Sequence, residues 1–348
     1  MKIRIGKKII GEGKKTFIVA ELSGNHNGSL LEAKKLIRYA KIAGADAVKL
    51  QTYKADTITL KSNKKDFRIS KYSPWKKYKN FWNLYRKAST PWSWHKELFR
   101  VARKNKIEIF SSPFDESAVD FLEKLNCPAY KIASPEINHI PLLEKVAKTG
   151  KPIILSLGLA DYYDLKLAIQ TLRKNRCKKI AVLQCVTSYP APLSEQNLQT
   201  INDIKKMGVL SGLSDHTIGN TSAITSVALG GSIVEKHFNL IKNVKTVDSF
   251  FSANLKSFRK LVRSIREAEK AKGVSSYKIT SSAKKHLIGK RSIYISDNIQ
   301  RGEKFSIKNI KIVRPNLGAH PKFFNKIIGK KSKYNLMAGT PFKIKYLK

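Results

Sequence analysis

Two histidines, His216 and His237, each close a short apolar run: Val209-Leu210-Ser211-Gly212-Leu213-Ser214-Asp215-His216 and Ser232-Ile233-Val234-Glu235-Lys236-His237-Phe238. Between them, Thr221 to Leu229 has room for one helix. Strand, helix, strand predicts two parallel neighbours. Parallel α/β folds keep their chemistry at the carboxyl ends of strands, where both histidines then sit. Two neutral imidazoles converging from adjacent strands can bind a divalent cation, with Asp215 and Glu235 near enough to orient them or help bind. A plainer reading makes His216 a turn cap and His237 a core residue. That reading suffices for either alone; two histidines at equivalent places favour the metal.

Further candidates lie on other apolar runs. Lys49 falls inside Ala47-Val48-Lys49-Leu50-Gln51, and Lys131 inside Ala129-Tyr130-Lys131-Ile132-Ala133-Ser134. A lysine in such a run costs desolvation unless an anion meets it. Nearly every run ends in Ser, Thr, Lys or His, among them Ser112, Ser134, Ser156, Thr187 and Ser214. A ring of hydroxyls with two interior lysines has the composition of a phosphate and carboxylate cradle.

The elements that must position these residues alternate. Strands are expected at Phe17–Ala20, Ala47–Gln51, Ile107–Phe110, Ala129–Ser134, 152–158, from Ile180, and ending at Ser214 and His237. Helices are expected at Leu30–Ala43, Ser93–Lys104, Glu116–Leu125, Leu142–Lys148, Asp161–Lys174, Leu198–Lys206, Thr221–Leu229 and Ser257–Lys272. Ser29 is placed to cap the first helix and Gly44 to end it. Residues 54–93 read as a long irregular aromatic insertion, whose rings either stack on a sugar or pack the loop down. Eight strands alternating with helices over about 250 residues is the size of an α/β, (β/α)8 TIM barrel. The reading is a barrel domain over 1–272, with a hairpin over 1–15, a polar linker over 273–285, and a β-rich module over 286–348.

Lys and Arg number 68 against 25 Asp and Glu, a formal charge of +43. The charge is spread along the chain and mostly lysine, with no aromatic RNP-like motif and no Cys/His finger. Solvated faces are therefore expected, with no specific nucleic acid as partner; a basic nucleic-acid-binding protein is the rival class, and it predicts a steep salt dependence. No apolar run reaches about 18 residues, so no membrane partner is expected. The segment before Phe17 lacks a signal-peptide core, and Cys127, Cys177 and Cys185 lack CxxC spacing, which together predict a cytoplasmic protein.

The chain resembles the sialic acid synthase family. The motifs that carry the resemblance are Ala20-Glu21-Leu22-Ser23-Gly24-Asn25-His26, Val48-Lys49-Leu50-Gln51-Thr52, Phe110-Ser111-Ser112-Pro113-Phe114, Tyr130-Lys131-Ile132-Ala133-Ser134, Gly212-Leu213-Ser214-Asp215-His216 and Glu235-Lys236-His237-Phe238. The terminal module, with Val313-Arg314-Pro315-Asn316, resembles the family's antifreeze-like (SAF) domain. The resemblance implies condensation of phosphoenolpyruvate with an amino-sugar. Within the family, Leu84-Tyr85-Arg86-Lys87-Ala88, Gln51-Thr52-Tyr53 and Gly318-Ala319-His320-Pro321-Lys322 point to the branch acting on a diacetamido trideoxy hexose, with neuraminate and legionaminate synthesis as alternatives. The resemblance further implies Mn2+ or Mg2+ on His216 and His237, and Glu21 binding a sugar hydroxyl or handling a proton. It implies phosphate and carboxylate contacts from Lys49, Lys131, Ser112, Ser134, Ser156 and Ser214. Asn25, Gln51, Tyr53 and Asp248 are sugar-contact candidates. Arg314 would come from the second subunit of a domain-swapped homodimer. The chain departs from the family at Phe250-Phe251-Ser252-Ala253-Asn254, where Phe-Ser-Leu-Glu-Pro is usual and the acid is lost. Thr187 and Ser188 stand where some members place an asparagine near the phosphate.

Overall fold

In the barrel the apolar runs are buried on both faces, as parallel strands covered by helices must be. The structure, a computed structural model, describes residues 1–240 and 245–348. The chain opens with an antiparallel hairpin, β1 (Lys2–Ile5) and β2 (Lys8–Gly11). Its Ile3, Ile5 and Ile10 join the main core. Gly6 turns it at φ +54, against the Glu108 carboxylate, which accepts from the Lys7 backbone N–H at 2.9 Å.

Eight strands follow: β3 (Phe17–Glu21), β4 (Ala47–Thr52), β5 (Glu108–Pro113), β6 (Tyr130–Ile132), β7 (Ile153–Ser156), β8 (Ile180–Cys185), β9 (Leu210–Asp215) and β10 (Ile233–His237). They close into a parallel barrel in sequence order, with β10 pairing back to β3. Helices α1 (Leu30–Ala43), α2 (Ala55–Ile58), α3 (Phe81–Ala88), α4 (Trp92–Lys104), α5 (Glu116–Lys124), α6 (Ile140–Lys148), α7 (Tyr162–Lys174), α8 (Thr200–Lys206), α9 (Thr221–Ala228) and α10 (Leu255–Lys272) make up the connections. Ser29 caps α1 by accepting from the Glu32 N–H, and Gly44 ends it in the left-handed region at φ +95.

The 54–93 segment is not wholly irregular. It contains α2, α3 and the start of α4. Helix α3 buries Leu84 and Ala88 against Val247, with Ile69, Trp75, Tyr78 and Tyr85 packed around them. Most of these aromatics pack the segment down.

The chain divides into two compact units, Met1–Gly273 and Val274–Lys348. The second includes the single-turn α11 (Ser281–Lys284), the antiparallel pair β11 (Ser292–Ile295) and β12 (Ile310–Val313), and α12 (Phe324–Ile327). Its own small core is Ile293, Ile295, Ile299, Phe305, Ile310, Ile327, Leu336 and Phe342. Among the described residues no helix is long and apolar enough to cross a membrane.

Candidate active site

Strands β9 and β10 bring His216 and His237 together, ring centroids 5.5 Å apart at 67°. Burial lowers His216 to about 4, with the Val186 carbonyl, Glu235 and Asp215 pulling it partly back up and Lys131 pushing it further down. Burial also holds His237 well below its usual value, with the His216 ring and Lys49 adding to the push. Both rings are therefore neutral at pH 7, the form that binds metals. His216 Nδ1 lies 2.9 Å from the Val186 carbonyl, which fixes a tautomer that leaves Nε2 free to accept. His237 Nδ1 is buried with no hydrogen-bond partner. Among the described residues no group of three or more His, Cys, Asp or Glu is placed to hold a metal. The two imidazoles would fit a divalent cation that accepts oxygen for its other ligands.

Neither Asp215 nor Glu235 hydrogen-bonds a histidine ring. Asp215 accepts from Lys236 Nζ at 2.6 Å, and from the Thr217 N–H and hydroxyl. Glu235 Oε1 accepts from Lys49 at 2.7 Å, Lys131 at 3.0 Å and Ser214 Oγ at 3.2 Å. Strand alternation explains the split: Glu235 and Ser214 face the barrel interior, Asp215 and Lys236 the opposite side.

The interior lysines thus meet carboxylates of the chain itself. Lys49 also lies 2.8 Å from Glu21 Oε2, its neighbour on β3. Glu21 is therefore the strand-end carboxylate paired with a lysine, and Gln51 Nε2 reaches its other oxygen at 3.3 Å. Burial alone would raise the Glu235 carboxyl; Lys131 and Lys49 outweigh it and hold it well below the usual range. Burial pulls Lys49 down to about 7, Glu235 opposing and Lys131 reinforcing. Unpaired polar atoms remain inside the barrel: the Ser112 and Ser156 hydroxyls and the acceptor Glu235 Oε2 are buried without a hydrogen-bond partner. Such orphans inside a barrel mark where a ligand's polar atoms go. Ser134 Oγ accepts from the Leu159 N–H at 2.7 Å, and Thr187 sits 3.4 Å from it.

The remaining candidates divide. Tyr53 is buried edge-on against Tyr85 and Phe114. Its hydroxyl is raised well above its usual value by burial, with Asp248 and Tyr85 adding to it. Burial also raises the half-buried Asp248 carboxyl. The Asn25 amide is already engaged by the Phe238 carbonyl, Ser252 and Thr246, so it braces the wall. Arg314 is exposed, just past β12.

Sequence reasoning missed three contributors. Glu136 follows β6, and burial raises it to about 7 against the pull of its own backbone, Lys131 and Lys49. Tyr189 lies 4.5 Å from His216, and Phe251 4.6 Å from His237, ring to ring. Trp75 joins Tyr189 and Phe250 at 5.4 and 5.7 Å. The departing Phe250-Phe251 segment thus builds an aromatic wall beside the histidines. The excess of rings in 54–93 and the departure at Phe250-Phe251 were its signals in the sequence. A cavity of about 680 Å³, lined by residues including Gly158, Asp161, Cys185, Val186 and Asp203, has none of the candidate residues in its lining, although Cys185 and Val186 both contact His216.

A closed (β/α)8 barrel with interior lysines, carboxylates and serines beside two neutral rim histidines has the form of a barrel enzyme with its site at the strand ends. The chain belongs to the NeuB family, which it matches over residues 36–277, and matches the SAF domain over 290–347. It is 45% identical to pseudaminic acid synthase of Helicobacter pylori, covering 93% of this chain and 95% of that protein. Identity to N,N'-diacetyllegionaminic acid synthase of Campylobacter jejuni is 37%, covering 91% and 96%. The crystal structure of spore coat polysaccharide biosynthesis protein SpsE from Bacillus subtilis superposes with a TM-score of 0.68 at 31% identity, covering 100% and 99%.

Proposed function

We propose that the barrel makes pseudaminic acid, condensing phosphoenolpyruvate with a 2,4-diacetamido-2,4,6-trideoxy hexose and water and releasing phosphate. The observation that carries this is the Lys49–Glu235–Lys131 cluster, with the unpaired Ser112 and Ser156 hydroxyls, next to two neutral imidazoles on neighbouring strands. Similarity to the Helicobacter enzyme supports the choice of sugar. So does the aromatic wall, which suits a 6-methyl and acetamido methyls better than free hydroxyls.

Lys49, Lys131, Ser112, Ser134, Ser156, Ser214 and Thr187 hold the phosphate and carboxylate of phosphoenolpyruvate. Its methylene carbon attacks the open-chain aldehyde, water adds to the resulting cationic carbon, and phosphate leaves by carbon–oxygen cleavage. Glu21 binds a sugar hydroxyl, and Glu136, poised near 7, moves a proton. Gln51, Tyr53 and Asp248 line the sugar side. His216 and His237 hold Mn2+ or Mg2+, which when bound supplies a Lewis acid for the aldehyde oxygen. The working form is a homodimer in which Arg314 serves the second copy's barrel.

The test is phosphate release with a panel of hexoses, with and without chelator. The fastest turnover is expected with the pseudaminate precursor, and none after chelation. Faster turnover with the legionaminate or neuraminate precursor moves the assignment to that sister activity, and chelator-insensitive turnover removes the metal from it.

A further inference from the structure

Asp215 and Lys236 immediately precede the two histidines and are register partners, the last pair of the β9–β10 ladder. His216 is therefore the first residue beyond that ladder, and strand pairing no longer sets its distance from β10. Lys236 Nζ donates to Asp215 Oδ2 at 2.6 Å and to the Thr217 carbonyl at 2.7 Å. Asp215 Oδ1 takes the Thr217 N–H at 2.9 Å and its hydroxyl at 2.7 Å. The residues on both sides of His216 are thus tied to the residue beside His237. The side chains are 5% and 0% exposed, and they lie on the strand face opposite the Lys49–Glu235–Lys131 cluster.

We propose that Asp215, Thr217 and Lys236 are positioning residues, a clasp that sets the separation of His216 and His237 and with it the affinity for the divalent cation. A fully buried ion pair contributes little net stability relative to well-packed apolar side chains, so stability alone does not account for it. Groups behind metal-binding histidines, in contrast, control affinity by fixing where the ligands stand. The clasp rests on the two-histidine metal reading.

The test is Mn2+ binding by the full chain, followed by electron paramagnetic resonance, with the KM for phosphoenolpyruvate measured at saturating Mn2+. The wild type is expected to bind and His216→Ala not to. If the wild type does not bind, the metal reading fails, and the clasp with it. With wild-type binding established, the double variant Asp215→Leu/Lys236→Met removes the clasp without stranding a charge. It is expected to melt cooperatively, weaken Mn2+ by about tenfold or more, and leave the phosphoenolpyruvate KM within about threefold. Wild-type Mn2+ affinity in that folded variant overturns the clasp while leaving the metal reading intact. Thr217→Val deletes one hydroxyl bond at constant volume. Weaker Mn2+ binding by this variant supports the clasp; unchanged binding overturns it, whether or not the double variant folds.

Discussion

Lys49 carries two opposing demands. As a cation it pairs with Glu21 and Glu235 and, in the proposed function, would attract an anionic substrate; as a buried group it is pulled to about 7 from 10.5. Between those values the unfolded chain holds the extra proton. The Lys49 protonation penalty on folding is therefore largest below about 7 and shrinks as pH rises through that window. Substrate affinity moves the other way, because deprotonation removes a charge from the cradle. The KM for phosphoenolpyruvate is expected to rise several-fold from about pH 7 to about pH 9, with no loss of Tm. Lys49→Arg should flatten that profile, since arginine stays charged. A flat wild-type profile would count against Lys49 as a phosphate or carboxylate ligand. Lys131→Ala should raise the same KM by about tenfold or more while leaving the hexose KM within about threefold, because it deletes a charge-assisted contact on one substrate only. His216→Ala and His237→Ala should each cut phosphate release by on the order of a hundredfold or more. Steady-state kinetics check all three.

At the scale of elements, much was legible because a parallel barrel writes itself plainly. Phe17–Val19 and Ile153–Leu155 are apolar on both faces, and α1 carries its cap and stop signals at Ser29 and Gly44. The histidines could be read as a pair because equivalent ends of neighbouring strands must converge. The sharing of Glu235 by Lys49 and Lys131 could not. Glu235 lies 186 residues from Lys49, and its choice of lysines over histidines depends on the barrel's register. Helix α3 was hidden because its buried face is only Leu84 and Ala88, among aromatics that read as loop. Loop geometry also makes a prediction. Gly158, after β7, sits at φ +100, and a Cβ there would stand 2.3 Å from Thr187 Oγ1 and 2.6 Å from Ser134 Oγ. Gly158→Ala is expected to cost about 1–3 kcal/mol in strain. It should also raise the phosphoenolpyruvate KM by displacing both hydroxyls. Thermal unfolding with the same kinetics reads both effects, and an unchanged KM would remove Ser134 and Thr187 from the anion site.

The whole molecule adds a question of which copy completes which site. The barrel is closed, and the second unit has its own core and carries Arg314 exposed. If Arg314 serves the barrel of a second copy, a site is built from two chains, and two differently damaged chains can repair one another. Co-expression of His237→Ala with Arg314→Ala chains tests this directly. Each chain alone should be nearly inactive. With equal expression, about half the dimers are mixed, and each mixed dimer has one barrel with intact histidines facing an intact arginine. Activity should therefore return to about a quarter of wild type. If Arg314 acts on its own barrel, every mixed dimer contains only damaged sites and no activity returns. Cutting the chain near Ser281 should abolish turnover in either case, so the co-expression result, not the truncation, decides between exchange and self-service.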